Sequence, residues 1–561
     1  MPKLLNMFFV MVTFLLLVGS TLAESVDTAW VRIYNGPGNN EDYPAAMAVD
    51  GAGNVYVTGY SEGNGTSHDY ATIKYYSNGD TAWVRRYNGP GNLWDEVKAM
   101  VVDDSGHVYV TGGSYGIGTS YDYVTIKYFS NGDIAWVERY DGPGNSEDMA
   151  FAITVDDSNC VYVTGTSKGI GTQTDYCTIK YHPNGDTVWV RRYNGPGNLY
   201  DNASALTVND SGYIYVTGNS DGIETQTDYC TIKYYPNGDT VWVRRYNGPG
   251  NSHDYTSAIA INGSGNVYVC GYSYSHETKN DYAVVKYYQN GDTAWVRRYN
   301  GPGNNDDAAL AMAVDIVGNV YVTGVIYDSG TFDDYATMKY NSVGDSLWAR
   351  IYVGPGNWWD MAKAIKVDDS GNVYVTGYSY GGSGTDYDFA TIKYFPNGDT
   401  AWVRRYNGPA NNSDQAFAIV VDDSSNVYVT GTSQGDLTSM DYATIKYVKK
   451  PSDVGNDTQI SQKPFEFSLS QNYPNPFNPS TTIKFKIQSS RFKVPIPTTL
   501  KIYDVLGEKV RTLVDEPKLA GDYSVAWDGK NDNGEQLASG VYFYQLIVGG
   551  YTSAKKMVLL K

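Results

Sequence analysis

Residues 122–145 read Asp122-Tyr123-Val124-Thr125-Ile126-Lys127-Tyr128-Phe129-Ser130-Asn131-Gly132-Asp133-Ile134-Ala135-Trp136-Val137-Glu138-Arg139-Tyr140-Asp141-Gly142-Pro143-Gly144-Asn145, and this stretch decides the fold. Two runs rich in β-branched and aromatic residues flank Asn131-Gly132-Asp133. Asn-Gly accepts the positive φ values of a tight hairpin, so the two runs pair as antiparallel neighbours. The same pattern then recurs along the chain. Trp stands at 30, 83, 136, 189, 242, 295, 348 and 402, at a spacing of 53 residues with one of 54. An Asp-aromatic pair keeps step at 69, 122, 175, 228, 281, 334, 388 and 441. Self-similarity at a fixed period of this length marks stacked supersecondary units.

Working outward, each unit offers four strand-like runs; in one unit they cover residues 98–103, 108–111, 123–128 and 135–140. The first two runs are joined by a short turn such as Asp104-Ser105-Gly106, and the fourth leads to the next unit through a longer Asn-Gly-Pro-Gly-Asn segment. Each unit therefore reads as a four-stranded antiparallel meander, and the longer segment as the crossing between blades. The first run is rich in small residues (Ala45, Ala46, Ala48), which suit a crowded axis. The fourth carries Trp and paired Arg (Trp83, Arg85, Arg86), expected as half-wet residues at a wide rim. The ends complement each other. Residues 28–34 form a lone Trp-type strand, and the repeats stop at Tyr447 after a third-type run. The N-terminal strand is expected to complete the last blade beside residues 442–447, closing an eight-bladed ring with no open sheet edge.

The segment Val49-Asp50-Gly51-Ala52-Gly53-Asn54-Val55-Tyr56-Val57-Thr58-Gly59, and residues 367–377 after it, resemble the SBBP-type bacterial β-propeller repeat. That resemblance spans about residues 28–447; it implies the fold and is silent on activity. Before it, Lys3, an apolar stretch over residues 4–18 and Thr21-Leu22-Ala23 read as a signal peptide over residues 1–23, cut between Ala23 and Glu24. The mature chain then carries no membrane-spanning segment. After the repeats, residues 448–465 are polar and read as a linker. Residues 466–561 carry strand-like runs at 481–487, 499–504, 523–527, 540–548 and 554–560, which fit a small Ig-like β-sandwich. Tyr473-Pro474-Asn475-Pro476-Phe477-Asn478-Pro479, Ile502-Tyr503-Asp504, Trp527-Asp528-Gly529, Ser539-Gly540-Val541-Tyr542 and the terminal run over residues 555–561 resemble the C-terminal sorting domain of the type IX secretion system. The resemblance implies passage across an outer membrane through that machinery, to the medium or the cell surface. An Ig-like module for adhesion alone is the other reading of this region.

The function classes narrow from composition. The 561 residues include 53 Tyr, 60 Gly and 12 Trp but only 5 His, with a formal net charge of −19. Such acidity repels nucleic acid and anionic lipid. His68, His107, His182, His253 and His276 occupy non-equivalent positions without metal-ligand spacing, so no metal or cofactor is expected. No Gly-x-Ser-x-Gly stretch is read as a nucleophile elbow, no phosphate-binding loop is found, and no catalytic residues stand out. Cys160, Cys177, Cys230 and Cys270 read as small buried residues rather than a disulfide framework.

Asp42, Asp95, Asp148, Asp201, Asp254, Asp307, Asp360 and Asp414 each follow a blade crossing. A ring of cation ligands and an architectural role are the two readings; an Asp needed eight times is expected to accept backbone N–H groups at the loop-to-strand junction. The Asp of the first turn (Asp50, Asp103, Asp156, Asp315, Asp368) reads the same way. The residue before the crossing Asp varies, and four aromatics there, Trp94, Tyr200, His253 and Trp359, are the candidate ligand-binding residues. An aromatic beside carboxylates and loop amides suits a sugar ring. The loops between second and third strands, such as residues 61–68, 113–121, 272–280 and 381–387, share little and should emerge on the same face. The reading is a secreted or cell-surface propeller that binds a glycan or a surface protein; a secreted polysaccharide-active enzyme and a passive envelope component are the alternatives.

Overall fold

A computed structural model describes residue 24 and residues 26–450, 467–487 and 498–560, apart from 383, 436, 437, 506–508, 520, 549 and 550. The expected signal peptide and nearly all of the expected linker lie outside the described residues. The chain divides into two compact units, Met1–Ser452 and Asp453–Lys561. Every described element is a strand, and no helix is long and apolar enough to cross a membrane.

The first unit is an eight-bladed β-propeller of four-stranded antiparallel sheets. Blade 1 runs Asp42–Val49, Val55–Glu62, His68–Tyr75 and Thr81–Tyr87, with neighbours in sequence paired in the sheet. Blades 2 to 7 repeat this order. Blade 8 consists of Asp414–Val421, Val427–Gln434 and Met440–Lys449, and its outer strand is the N-terminal Val26–Tyr34. Thr28 faces Tyr447 and Tyr34 faces Tyr442, so the ring closes as the complementary ends predict. The last strand runs two residues past Tyr447, to Lys449 opposite Val26. The second and third strands are buried on both faces, because each blade is covered by its two neighbours. The turn between third and fourth strands needs its glycine: Gly132 sits at φ +88°, where a side chain is strained.

Neighbouring blades are joined by a repeated set of contacts. Trp83 of blade 1 packs between Tyr56 of its own blade and Tyr128 of blade 2, and its Nε1 donates to the Ser130 carbonyl at 3.2 Å. The sequence-based expectation of half-wet rim tryptophans is corrected here for seven of the eight; Trp136 alone is half-buried. Trp83 is 8 % exposed, because the next blade's hairpin turn folds over it. The paired arginines beside it keep partial contact with solvent. A third-strand lysine reaches the same turn: Lys74, Lys127, Lys180, Lys233, Lys286, Lys339 and Lys446 each donate to a turn carbonyl of the following blade.

Lys393 is the eighth, and blade 8 has no such turn because its outer strand comes from the other end of the chain. The residues before that strand take the turn's place. Glu24 accepts a hydrogen bond from Lys393 Nζ, and the Val26 carbonyl accepts from Arg404 Nε at 3.1 Å, as turn carbonyls such as Gly132 O do for Arg85.

Cys177, Cys230 and Cys270 are buried as expected, and burial pushes their thiols up to about 12. Cys160 corrects the expectation: it is only half-buried, because it ends a turn rather than lying inside a strand.

The second unit is a small Ig-like sandwich. One sheet orders Phe467–Leu469, Thr481–Ile487 and Gly521–Trp527; the other orders Lys509–Asp515, Thr498–Tyr503, Gly540–Val548 and Tyr551–Leu559. Trp527, Phe477, Ile483, Tyr544 and Leu546 fill the space between them. Lys509–Asp515 escaped the sequence reading because it is a charged edge strand in which only Val514 is fully buried and a bulge at Leu513 breaks the alternation. The Pro-rich run is anchored: Asn472 Nδ2 donates to the Pro474 carbonyl and to Thr481 Oγ1, and the Phe477 amide donates to the Val558 carbonyl at 3.0 Å.

Candidate ligand-binding face

The crossing loops and the second-to-third strand loops lie together on one face of the ring. In blade 2 the Gly91 amide donates to the Tyr115 carbonyl at 3.0 Å, and the Tyr115 amide to the Trp94 carbonyl at 3.2 Å. The crossing Asp holds this face in shape. Asp42, Asp95, Asp148, Asp201, Asp254, Asp307, Asp360 and Asp414 each accept the amide of the glycine six residues earlier, at 2.5–2.6 Å. The approach leaves no room for a side chain: a Cβ on Gly195 would lie 2.5 Å from Asp201 Oδ1 and 2.2 Å from Ser220 Oγ. On the opposite face, the turn Asp has the same kind of task. Asp103 Oδ1 accepts the Ser105 and His107 amides, and Oδ2 accepts the Tyr109 hydroxyl.

The electrostatics follow from burial. Loss of water pushes Asp42, Asp201, Asp307 and Asp414 up to about 6, and Asp95, Asp148, Asp254 and Asp360 upward as well. A fourth-strand arginine partly offsets this charge: Arg245 donates to Asp228 at 2.7 Å and to the Ser220 carbonyl at 2.6 Å. Blade 6 replaces both the serine and the arginine, with Ile326 and Ile351. There Asp334 keeps only Thr331 as a hydrogen-bond donor, and burial raises it to about 6. The carboxylates of Asp122, Asp141 and Asp148 lie within 4.8 Å of one another; Arg139, 2.7 Å from Asp122, supplies their counter-charge.

The four candidate aromatics all sit on the crossing-loop face, in three places. Trp94 is 48 % exposed and packs on His68 at 4.6 Å between ring centroids, with Tyr60 behind it. Trp359 is 50 % exposed and stacks on Trp358, which meets Phe332 at 4.1 Å. Tyr200 and His253 come together, lining a groove of about 540 Å³ between blades 4 and 5 with Asn202, Asp221 and Thr227. Tyr200 is 53 % exposed and, among the described residues, its ring stacks on no other aromatic. His68, Trp358 and Phe332 were not singled out from the sequence, nor were Asp221 and Thr227. The variable loops were the available signal, but which loop residues meet across a blade boundary depends on the ring closing.

Comparisons with known proteins bear on the fold. The model of the SBBP β-propeller repeat matches residues 29–65 and 401–438, and that of the FlgD Ig-like domain matches residues 480–548. Both agree with the architecture above. No curated protein sequence matches the chain. Among solved structures, PorZ of Porphyromonas gingivalis, titled an essential bacterial surface component of the type IX secretion system, is 14 % identical over 91 % of this chain and 64 % of its own, with a TM-score of 0.36. This chain thus spans under two thirds of PorZ. The β-propeller domain of the Trilobed protease from Pyrococcus furiosus is 8 % identical over 62 % of this chain and 92 % of its own, with a TM-score of 0.36. The α-L-arabinofuranosidase Arb93A from Fusarium graminearum is 9 % identical over 64 % and 95 %, at 0.34. At these identities and scores, the likenesses carry no argument about activity or partners.

Proposed function

We propose that this chain is an exported binding protein displayed at the cell surface or released, and that its crossing-loop face contacts carbohydrate through Trp94, Tyr200, His253 and Trp359. The observation that carries the reading is the distribution of exposed aromatics. The repeat demands an Asp after every crossing but no aromatic before it; blades 1, 3, 6 and 8 place Glu41, Glu147, Asp306 and Ser413 there. Aromatic rings held half-exposed among loop amides and carboxylates supply the apolar platform and hydrogen-bond partners that a sugar needs. In this reading residues 1–23 are removed by cleavage between Ala23 and Glu24, residues 24–447 bind, residues 448–465 link, and residues 466–561 address the chain to the type IX secretion machinery. The net charge of −19 argues against nucleic acid as a partner.

Two experiments test it. The mature chain screened on a glycan array should retain defined glycans, and Trp94→Ala with Trp359→Ala should weaken that retention at an unchanged melting temperature. Failure of the intact chain to bind any glycan or cell surface would overturn the binding reading. In a host with type IX secretion, deleting residues 466–561 should leave a folded propeller in the periplasm; export at full yield would overturn the sorting assignment.

A further inference from the structure

The outer rung of the second and third strands varies from blade to blade. One rung below it, the pair is Ser with Asp in seven of eight blades, as in Ser220↔Asp228. The outer rung itself is Glu62↔His68, Tyr115↔Tyr121, Lys168↔Thr174, Asp221↔Thr227, Tyr274↔Asn280, Tyr327↔Asp333, Tyr380↔Tyr387 and Gln434↔Met440, with one further pair beyond it in blades 5 and 6. Only the Tyr↔Tyr pair occurs twice, so ring architecture does not dictate the residues here.

In blade 4 this rung starts a hydrogen-bond chain that reaches blade 5. Thr227 Oγ1 donates to Asp221 Oδ1 at 2.8 Å, so its lone pairs face His253 Nδ1 at 3.3 Å. The hydroxyl proton is committed to the carboxylate, and Nδ1 must therefore carry hydrogen and donate. In the neutral ring this tautomer leaves Nε2 as a bare acceptor. The second oxygen of Asp221 accepts the Tyr200 amide at 3.2 Å, which fixes the base of the exposed Tyr200 ring. The amides nearby are oriented the opposite way. Asn202 Oδ1 accepts from Thr174 Oγ1 at 2.9 Å and Gln226 Oε1 from Ser252 Oγ at 3.5 Å, which leaves each NH₂ as the donor. All of these residues except Thr174 and Ser252 line the same groove of about 540 Å³.

We propose that the groove between blades 4 and 5 is a carbohydrate subsite in which Tyr200 stacks on a sugar ring, His253 Nε2 accepts one ring hydroxyl, and the Asn202 and Gln226 amides donate to neighbouring oxygens. The proposal rests on the reading that the crossing-loop face binds carbohydrate, and it places that binding in one of the three aromatic clusters. A hydroxyl both donates and accepts, so a sugar edge satisfies a fixed acceptor and two fixed donors side by side. The C–H groups on one face of a pyranose match an aromatic platform that has no other ring to stack on. The Asp221–Thr227–His253 chain acts as positioning machinery: it sets the tautomer of His253 and touches no ligand itself.

The test uses the mature full-length chain with neutral hexasaccharides of xylose, glucose, mannose and N-acetylglucosamine as probes, read by saturation-transfer NMR and calorimetry. At least one probe should bind, with saturation transferred to the sugar ring protons. Tyr200→Ala and His253→Ala should each weaken it roughly ten-fold or more, the loss expected on truncating an anchor. Tyr200→Phe should keep most of the affinity, and Thr227→Val should weaken binding with an unchanged melting temperature. Trp94→Ala and Trp359→Ala, in clusters outside this groove, should weaken this probe's binding far less than Tyr200→Ala does. A probe that binds but loses affinity only with Trp94→Ala or Trp359→Ala overturns the subsite and leaves the carbohydrate reading standing. If no probe binds the intact chain, the subsite is overturned, and the carbohydrate reading is decided by the glycan array.

Discussion

Replacing Glu24 by Ala should open the ring at one seam and nowhere else. Glu24 is the substitute for a missing hairpin turn. In seven blade contacts a third-strand lysine donates to a backbone carbonyl, which no substitution can delete. At the eighth contact the acceptor is a side chain. The Lys393 side chain is 8 % exposed and the Glu24 side chain 15 %, so the pair is largely out of water. The Lys449 Nζ of the last strand also reaches Glu24 at 2.6 Å, but its side chain is 72 % exposed, and that bond contributes well under about 1 kcal/mol. The first pair dominates. Removing the carboxylate leaves a buried ammonium without its partner, at a cost of about 3 kcal/mol. At about 1.4 kcal/mol per factor of ten, that is on the order of a hundred-fold increase in seam opening. Glu24→Gln keeps an oxygen acceptor and should cost about half as much. Hydrogen exchange read by mass spectrometry resolves the place as well as the size. Peptides covering Val26–Tyr34 and Met440–Lys449 should exchange faster, while those covering blade 4 stay unchanged. Seam peptides that keep wild-type exchange, or a rise spread evenly around the ring, would refute the reasoning.

The crossing carboxylates predict an unusual pH dependence. Their folded-state values are raised by burial, so between the ordinary carboxylate value near 3.8 and about 6 the folded chain binds more protons than the unfolded one. Stability should therefore rise as pH falls from 7.5 to 5 in a thermal melt; below about 4 it should be lost again as Glu24, Asp50 and Asp103, which are held below their ordinary values, take up protons. A melting temperature that falls steadily from pH 7.5 to 5 would contradict this. Asp201→Ala should cost about 1–3 kcal/mol by orphaning the Gly195 amide, seen as a lower melting temperature with Tyr200 newly sensitive to proteolysis of its loop. A thiol reagent applied to the native chain should label Cys160 and spare Cys177, Cys230 and Cys270; labelling of all four at equal rates would mean the blades open far more readily than their packing implies.

Periodicity carried the fold. The recurring Trp, the Asn-Gly-Asp turns and the complementary chain ends specify eight meanders and their closure, because strand pairing within a blade is local in sequence. The crossing Asp was equally legible, since a backbone amide six residues away is a local partner. What only the tertiary structure decided lies between blades. Trp83 is dry because a turn 47 residues later covers it, and Glu24 serves as an acceptor because Lys393 stands 369 residues away across the seam. The candidate site divides the same way. Tyr200 and His253 stood out as aromatics at one repeat position, but nothing in their spacing joined them to each other more than to Trp94 or Trp359. Asp221 and Thr227 pair at strand ends where the repeat sets no residue pattern, and their hydrogen-bond chain to His253 crosses a blade boundary. A repeat in the sequence reports what every blade must share; a groove is made where neighbouring blades differ, and only their packing brings those differences into contact.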